Sequence, residues 1–118
     1  MRTLLEDLLP LSVAAQHILL ALSGEDRHGY AIMQEVSRQS EGTYKLGPGT
    51  LYDTLERLIS QGLVTEVSHR HSNDDPRRRY YRLTALGQRV FSAEIDRLET
   101  MVRQAKLRLR GARPKEAS

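Results

Sequence analysis

The spacing of the apolar residues changes twice along this chain of 118 residues. Up to residue 62 apolar positions recur every three or four residues, which is typical of helices; residues 63–83 read as two strands around a turn, and the helical spacing then returns. Few folds have a single pair of adjacent strands with helices before and after it in the sequence. The pattern therefore predicts a mainly α structure with a small β-hairpin, an α+β fold that fits into a single domain.

Four helical segments precede the strands. Pro10 ends the first, Ser12 can cap the second, and Pro48 suits the first turn of the fourth, which Gly62 can terminate. The second segment is apolar nearly all round, which predicts a central place in the core. The predicted helices are Thr3–Leu9, Val13–Leu22, Gly29–Gln39 and the segment from Pro48, whose expected buried face is Leu51, Leu55, Leu58 and Ile59; Thr43–Leu46 is predicted as a short extended piece.

Two strands and a long helix complete the predicted fold. Leu63–Ser68 and Arg79–Leu83 form the hairpin, and its tip holds the turn signal Ser72-Asn73-Asp74-Asp75-Pro76. Thr84 caps a helix that runs to about Arg110. A helix-turn-helix followed directly by a hairpin predicts a winged helix-turn-helix. The expected division is a DNA-binding domain over residues 1–83, a C-terminal dimerisation helix over 84–110 and a disordered tail over 111–118.

Composition excludes several classes of function. The chain has no Cys, which excludes a disulfide scaffold, thiolate zinc ligands and a cysteine nucleophile. It has no Gly-rich phosphate loop with its Lys and no Gly-x-Ser-x-Gly elbow, so we expect neither an enzyme nor a bound cofactor. Charges interrupt the apolar N-terminal segment before it reaches the roughly 18 residues of a spanning helix. We therefore expect a soluble, cytoplasmic protein without a membrane partner.

Arginines concentrate in the hairpin. The formal net charge is +3, and Arg77, Arg78 and Arg79 are consecutive on its second arm. Guanidinium groups on a flexible hairpin can neutralise the phosphates of nucleic acid. Asp74 and Asp75 reduce the local positive field, which argues against indiscriminate binding. A solvated surface is the alternative, and the position of the hairpin directly after a helix-turn-helix pattern favours phosphate contact.

The helix that begins at Pro48 has a polar face near its N-terminus. Thr50 and Tyr52 can donate to phosphates or base edges, and the helix end itself offers free N–H groups. Glu56 can accept from a cytosine amine, whereas Asp53 is expected only to favour the helix dipole. Packing of Tyr52 on the domain is the alternative. The predicted DNA-binding residues are His28, Tyr30, Pro48, Gly49, Thr50, Tyr52, Arg77, Arg78 and Arg79, with helix capping as the alternative role of His28.

The last helix carries a repeating apolar seam. Six of its residues are spaced by four and three alternately over nearly three heptads, and Met101 widens the seam. A helix of roughly 40 Å has more apolar face than so small a domain can cover, so we expect a two-fold dimer. Packing within the same chain is the alternative. The predicted interface residues are Phe91, Ile95, Leu98, Met101, Val102, Ala105 and Leu109.

Two histidines of the hairpin raise the question of a metal. His69 and His71 are two residues apart and therefore face the same side of a strand. Zinc takes three or four protein ligands, and two histidines on a hairpin are more often polar residues of the surface. We expect no metal site.

Four motifs, in this order, resemble those of the PadR-like transcriptional regulators. They are His28-Gly29-Tyr30, Gly47-Pro48-Gly49-Thr50-Leu51-Tyr52, the segment Leu55–Leu63, and Arg79-Tyr80-Tyr81-Arg82-Leu83-Thr84 with Gly87. The resemblance covers residues 18–87. It implies a homodimeric winged-helix regulator, commonly a repressor, whose effectors in some members are phenolic acids or hydrophobic drugs.

The chain departs from the family's pattern at three points. Gly47 stands where Ser is frequent, and Asp53 stands where Pro is frequent. Some drug-binding members of the short subgroup, which has a single C-terminal helix, use a Trp at the dimer interface, and this chain has no Trp.

The main hypothesis is a homodimer that binds a pseudo-palindromic operator in double-stranded DNA and represses transcription. A compatible second hypothesis is a sensor whose small-molecule effector binds between the second and final helices at the dimer interface. A winged-helix module used only for protein–protein contact is an alternative of a different class, which the arginine-rich hairpin disfavours.

Overall fold

The structure, a computed structural model, describes residues 5–68 and 78–111. Most of these residues are helical, as the apolar spacing predicts, and three short strands among them form one small sheet. The elements are a 3₁₀ turn at Leu5–Leu8, α1 at Val13–Ala21, β1 at Arg27–His28, α2 at Gly29–Gln39, α3 at Pro48–Ser60, β2 at Val64–Val67, β3 at Tyr80–Leu83 and α4 at Ala85–Gly111.

Four residues predicted to begin or end helices have these roles in the structure: Ser12, Pro48, Gly62 and Thr84. The Ser12 hydroxyl accepts a hydrogen bond from the Ala15 backbone N–H at 3.1 Å, which caps α1. Pro48 occupies the first turn of α3. At the other end Gly62 has a φ of +79°, a left-handed conformation that turns the chain directly into β2. Thr84 caps α4 by accepting from the Gly87 N–H at 2.9 Å.

The sheet has one strand more than the hairpin that the sequence predicts. The order is β1-β3-β2, all antiparallel, with Arg27 opposite Tyr81 and Val64 opposite Leu83. Strand β1 has only two residues, too few to show an alternating pattern. Residues 43–46, predicted as an extended piece, belong to no strand and connect α2 to α3.

The core lies where α1 meets α2, α3 and the start of α4. Ile18 and Leu19 of α1 have no exposed surface, which confirms the central place predicted for this helix. The predicted buried face of α3 is wrong at one position, because Ile59 is 37% exposed and Thr54 is buried instead. The remaining fully buried side chains include Ile32, Val36, Leu51, Leu63 and Val90.

Strands β2 and β3 and helix α1 are shorter than predicted by one residue at an end or at both ends, and the predictions near the two ends of the chain also need correction. In the described part of the helix predicted at Thr3–Leu9, which begins at Leu5, the structure has a 3₁₀ turn and no α-helix, since so short a segment before a proline cannot repay the cost of nucleating an α-helix. Its Leu5 and Leu8 still pack against the core. Helix α4 includes Gly111, the residue at which the sequence predicts the start of the tail. The tail after residue 111, and the hairpin tip with Arg77, His69 and His71, lie outside the described residues. Within the described ranges, no helix is long and apolar enough to cross a membrane.

A fully buried carboxylate joins α4 to the segment before α1. Glu94 accepts hydrogen bonds from the Leu11 backbone N–H at 3.0 Å and from the Gln16 amide at 2.9 Å. It also pairs with the Arg97 guanidinium at 2.6 Å. The bond from Arg97, with those from Gln16 and Leu11, outweighs desolvation and lowers the pKa of Glu94 from 4.5 to about 2. The carboxylate is therefore charged at neutral pH.

We expect Glu94→Gln to reduce the free energy of unfolding at pH 7 by about 2 kcal/mol, less than for a wholly buried pair because Arg97 keeps contact with water. The folded-state pKa lies below the ordinary value, so the wild type gains this stability above about pH 5 and loses it as the pH falls towards 2. Urea unfolding at pH 7, 5 and 3 should therefore show a flatter pH dependence for the variant.

Glu41→Gln is the matched control, because Glu41 is exposed in the loop after α2. The control should unfold like the wild type. Equal stabilities and equal pH slopes for the two variants would contradict the role given to Glu94.

Candidate nucleic-acid interface

The first two turns of α3 present a continuous polar face to solvent. The buried positions Leu51, Thr54 and Leu55 fix the helix on the core, and this orientation leaves Gly49, Thr50 and Tyr52 exposed. The N-cap Gly47 makes no side-chain hydrogen bond to the helix. The first N–H groups of α3 therefore carry their positive partial charge without a side-chain acceptor from the cap.

His28 occupies the N-cap of α2. Its Nδ1 accepts a hydrogen bond from the Ala31 backbone N–H at 3.3 Å, the capping role that the sequence left as the alternative. The imidazole packs edge-on against Tyr80 of β3, with ring centroids 5.3 Å apart. On the other side of the ring, Nε2 lies 3.3 Å from a guanidinium nitrogen of Arg78. The start of α2 is thus in direct contact with the hairpin.

A shallow depression of about 470 Å³ lies between the start of α2, α3 and the hairpin. Tyr30 and Tyr52 are exposed at 62% and 49% and form aromatic sides of this depression, while Arg78 supplies positive charge. Its lining residues are His28, Gly29, Tyr30, Tyr52, Arg78, Arg79 and Tyr81, which include five of the nine predicted DNA-binding residues. Pro48, Gly49 and Thr50 lie exposed on the adjoining start of α3, outside the lining, and Arg77 is outside the described residues.

The arginines of the hairpin differ in their partners. Arg82 forms a two-pronged pair with Asp26 at 3.0 and 2.8 Å, which fastens β3 to the turn before β1. Arg79 pairs at 3.5 Å with Glu66 on β2, and both side chains are largely exposed. Arg78 has an exposed side chain next to His28. Arg78 and Arg79 therefore retain the exposure that phosphate contact requires, whereas Arg82 serves the sheet.

Two residues that line the depression, Gly29 and Tyr81, are not among the DNA-binding residues predicted from the sequence. Gly29 is buried at the first position of α2, although a glycine there looks like a neutral helix start. Tyr81 of β3 is buried. Burial raises the pKa of its phenol, and the nearby Glu66 carboxylate raises it further by a smaller amount. The alternation of the strand indicates that one of Tyr80 and Tyr81 faces inward, but not which of the two.

The apolar seam of α4 lies mostly in solvent. Met101, Val102 and Leu109 are exposed at 53%, 50% and 75%, whereas Phe91 packs partly against the core. The seam's remaining members are Ile95 at 37% exposure, half-buried Leu98 and exposed Ala105. The heptad spacing did not include Leu107, which is 56% exposed on the same helix. The described part of this chain thus covers only the first turns of the seam.

No group of three or more His, Asp or Glu side chains within the described ranges is arranged to hold a metal ion. His69 and His71, for which no metal was expected, fall in the gap between those ranges.

Known proteins share both the sequence pattern and the fold. Residues 18–93 match the family described as PadR-like transcriptional regulators. A transcriptional regulator of Mycobacterium tuberculosis is 38% identical over 88 residues, which cover 75% of this chain and 78% of the relative.

Two solved structures illustrate the likeness in fold. A PadR family transcription regulator from Clostridium difficile has a TM-score of 0.71 at 22% identity, over 83% of this chain and 99% of that one. Bacillus subtilis PadR in complex with operator DNA has a TM-score of 0.62 at 20% identity, over 73% of this chain and 48% of that one. At these identities the likeness establishes the winged-helix fold.

Proposed function

The chain belongs to the PadR-like family of transcriptional regulators, and we propose that it binds double-stranded DNA sequence-specifically as a homodimer and represses transcription. The observation that carries the proposal is the exposed polar start of α3 beside the depression that holds Tyr30, Tyr52, Arg78 and Arg79. Aromatic, hydroxyl and guanidinium groups on one face offer contacts to bases and to phosphates together.

In the proposed complex the N-terminal turns of α3 enter the major groove. Thr50 and Tyr52 contact base edges or position the helix, and the free N–H groups of α3 face a phosphate. Arg78 and Arg79 contact the backbone beside the groove, where guanidinium groups replace condensed counterions. Bacillus subtilis PadR, which is similar in fold, forms a complex with operator DNA, and this supports DNA as the ligand.

The proposed dimer forms through α4. The seam from Ile95 to Leu109 is too apolar and too exposed to remain in water at its full length. Charges beside this seam are segregated by sign. Glu99 lies before its midpoint at Val102, and Arg103, Lys106 and Arg110 lie after it. An antiparallel crossing near Val102 brings the carboxylate of each copy to the basic end of the other, whereas a parallel crossing juxtaposes like charges.

Repression in this proposal follows from occupancy of a pseudo-palindromic operator by the two α3 helices, roughly one DNA turn apart. A hydrophobic or phenolic effector would act between α1 and α4 at the dimer interface. Val13 and Leu20 of α1 are 54% and 44% exposed, and these apolar side chains support an effector site on that helix. A ligand that favours another separation of the two α3 helices would release the DNA.

The test of the proposed function is selection of DNA by the purified protein at physiological salt, from a random library and from sheared DNA of its own source. The proposal predicts enrichment of fragments that share an inverted repeat. Uniform retention would leave only electrostatic binding and contradict sequence-specific regulation. No retention by the ligand-free protein would favour a module for protein–protein contact.

Arg78→Ala should weaken binding to enriched and unenriched DNA alike, by about tenfold, and should reduce the slope of log K against log salt by about one. The reason is the loss of one phosphate contact that carries no base information. Fluorescence anisotropy from 50 to 300 mM salt would measure both effects.

Arg38→Ala is the matched control, because Arg38 is exposed on α2 and paired with Glu35, away from the depression. Its affinity and salt slope should equal those of the wild type. If the Arg78 variant behaves in the same way as this control, Arg78 makes no phosphate contact.

Val102→Asp should weaken dimerisation by roughly 100-fold, because it buries a carboxylate in the centre of an apolar interface. Sedimentation equilibrium over a range of concentrations would measure the dissociation constant. Gln104→Asp adds the same charge at an exposed position on the other side of α4 and should leave the dimer intact. Equal effects of the two changes would contradict the α4 interface.

A further inference from the structure

Tyr52 of α3 lies directly on the backbone of α2. Its phenol ring covers Gly29, which is buried at the first position of that helix. A Cβ atom built on Gly29 would overlap the Tyr52 hydroxyl and would lie 2.9 Å from Cζ, closer than real Cβ atoms approach a neighbour. The Tyr52 ring therefore keeps this position against α2 only because residue 29 has no side chain.

The backbone conformation gives no other reason for glycine at this position. The described glycines with positive φ are Gly24, Gly42 and Gly62, and Gly29 is not among them. Any residue could adopt its conformation, and most would favour the helix more than glycine does. Gly49 makes the contrast clear, because a Cβ there would meet nothing within 4 Å. The need for glycine at residue 29 thus comes from Tyr52.

The contact fixes a side chain that is half exposed on the proposed DNA-facing surface. Tyr52 is 49% exposed, and its ring lines the depression together with His28, Tyr30 and Arg78. An aromatic ring seated on a backbone has few alternative rotamers, so it loses little conformational entropy when it meets a ligand. A side chain at residue 29 would push the ring outwards, into the space that DNA must occupy.

We propose that Gly29 is a positioning residue for DNA recognition, which sets how far the Tyr52 ring projects from the surface of α3. This inference rests on the proposed function. Gly29 makes no base contact itself and acts through Tyr52 alone. A change at Gly29 should therefore alter affinity for the specific site without changing the number of phosphate contacts.

The experiment is a double-mutant cycle of Gly29→Ala and Tyr52→Leu, in which leucine lacks the outer ring atoms that the alanine would meet. Binding to the most enriched DNA fragment is measured by anisotropy at several salt concentrations. We expect Gly29→Ala to weaken specific binding by at least about tenfold in the wild-type background and less than about twofold in the Tyr52→Leu background. The salt slope should stay unchanged, since no charge is removed.

Gly111→Ala is the matched control, because it makes the same change at a helical position with open space around it, and it should bind like the wild type. Thermal unfolding and the nuclear Overhauser effect between the Gly29 Hα and Tyr52 Hε protons are measured alongside. We expect this effect in the wild type, and we expect any thermal destabilisation by Gly29→Ala to disappear in the Tyr52→Leu background.

Equal losses from Gly29→Ala in both backgrounds, in binding or in stability, would overturn the inference because Gly29 would then act independently of Tyr52. Wild-type affinity in Gly29→Ala would overturn it as well and leave the proposed function intact. If the wild-type protein shows no sequence preference in DNA binding, both the proposed function and this role of Gly29 are contradicted, even if the Overhauser effect is observed.

Discussion

The packing of α1 against three other helices is the constraint on which the rest of the structure depends. Ile18 and Leu19 of α1 are completely buried, and the helix contacts α2, α3 and α4. Because protein interiors are close-packed, neither α3 nor α4 can shift without opening a cavity beside α1. One core therefore holds the polar face of α3 and the apolar seam of α4 in a fixed relation, as a dimer reading two half-sites requires.

Polar contacts add the orientation that apolar packing alone leaves open. The Glu94 carboxylate has partners on both sides of the contact between α4 and the segment before α1, so it fixes the direction in which α4 leaves the core. The pair of Arg82 and Asp26 contributes geometry more than stability, because the Arg82 side chain is largely in solvent, which screens the pair. It holds β3, and with it the start of the hairpin arm that carries Arg78, beside α2.

The sequence predicts those features whose signal is local. Helical periodicity and the caps at Ser12, Gly62 and Thr84 locate the helices, because each signal lies within a few residues of its effect. Strand β1, the burial of Glu94 and the contact of Tyr52 with Gly29 depend on residues far apart in the chain. A single sequence contains no pattern that indicates such long-range contacts. The sequence therefore predicts individual residues of α2, α3 and the hairpin, but not that they meet in one depression.

The central claim is that one rigid dimer reads two half-sites, and the spacing of those half-sites tests it most directly. The measurement is the affinity of the wild type for its enriched inverted repeat after insertion of five base pairs at the centre, which rotates one half-site by about half a turn of DNA. The account predicts a loss of at least about tenfold, because α4 and the common core fix the separation and facing of the two α3 helices. Undiminished affinity would mean that each copy binds alone, and would contradict the account.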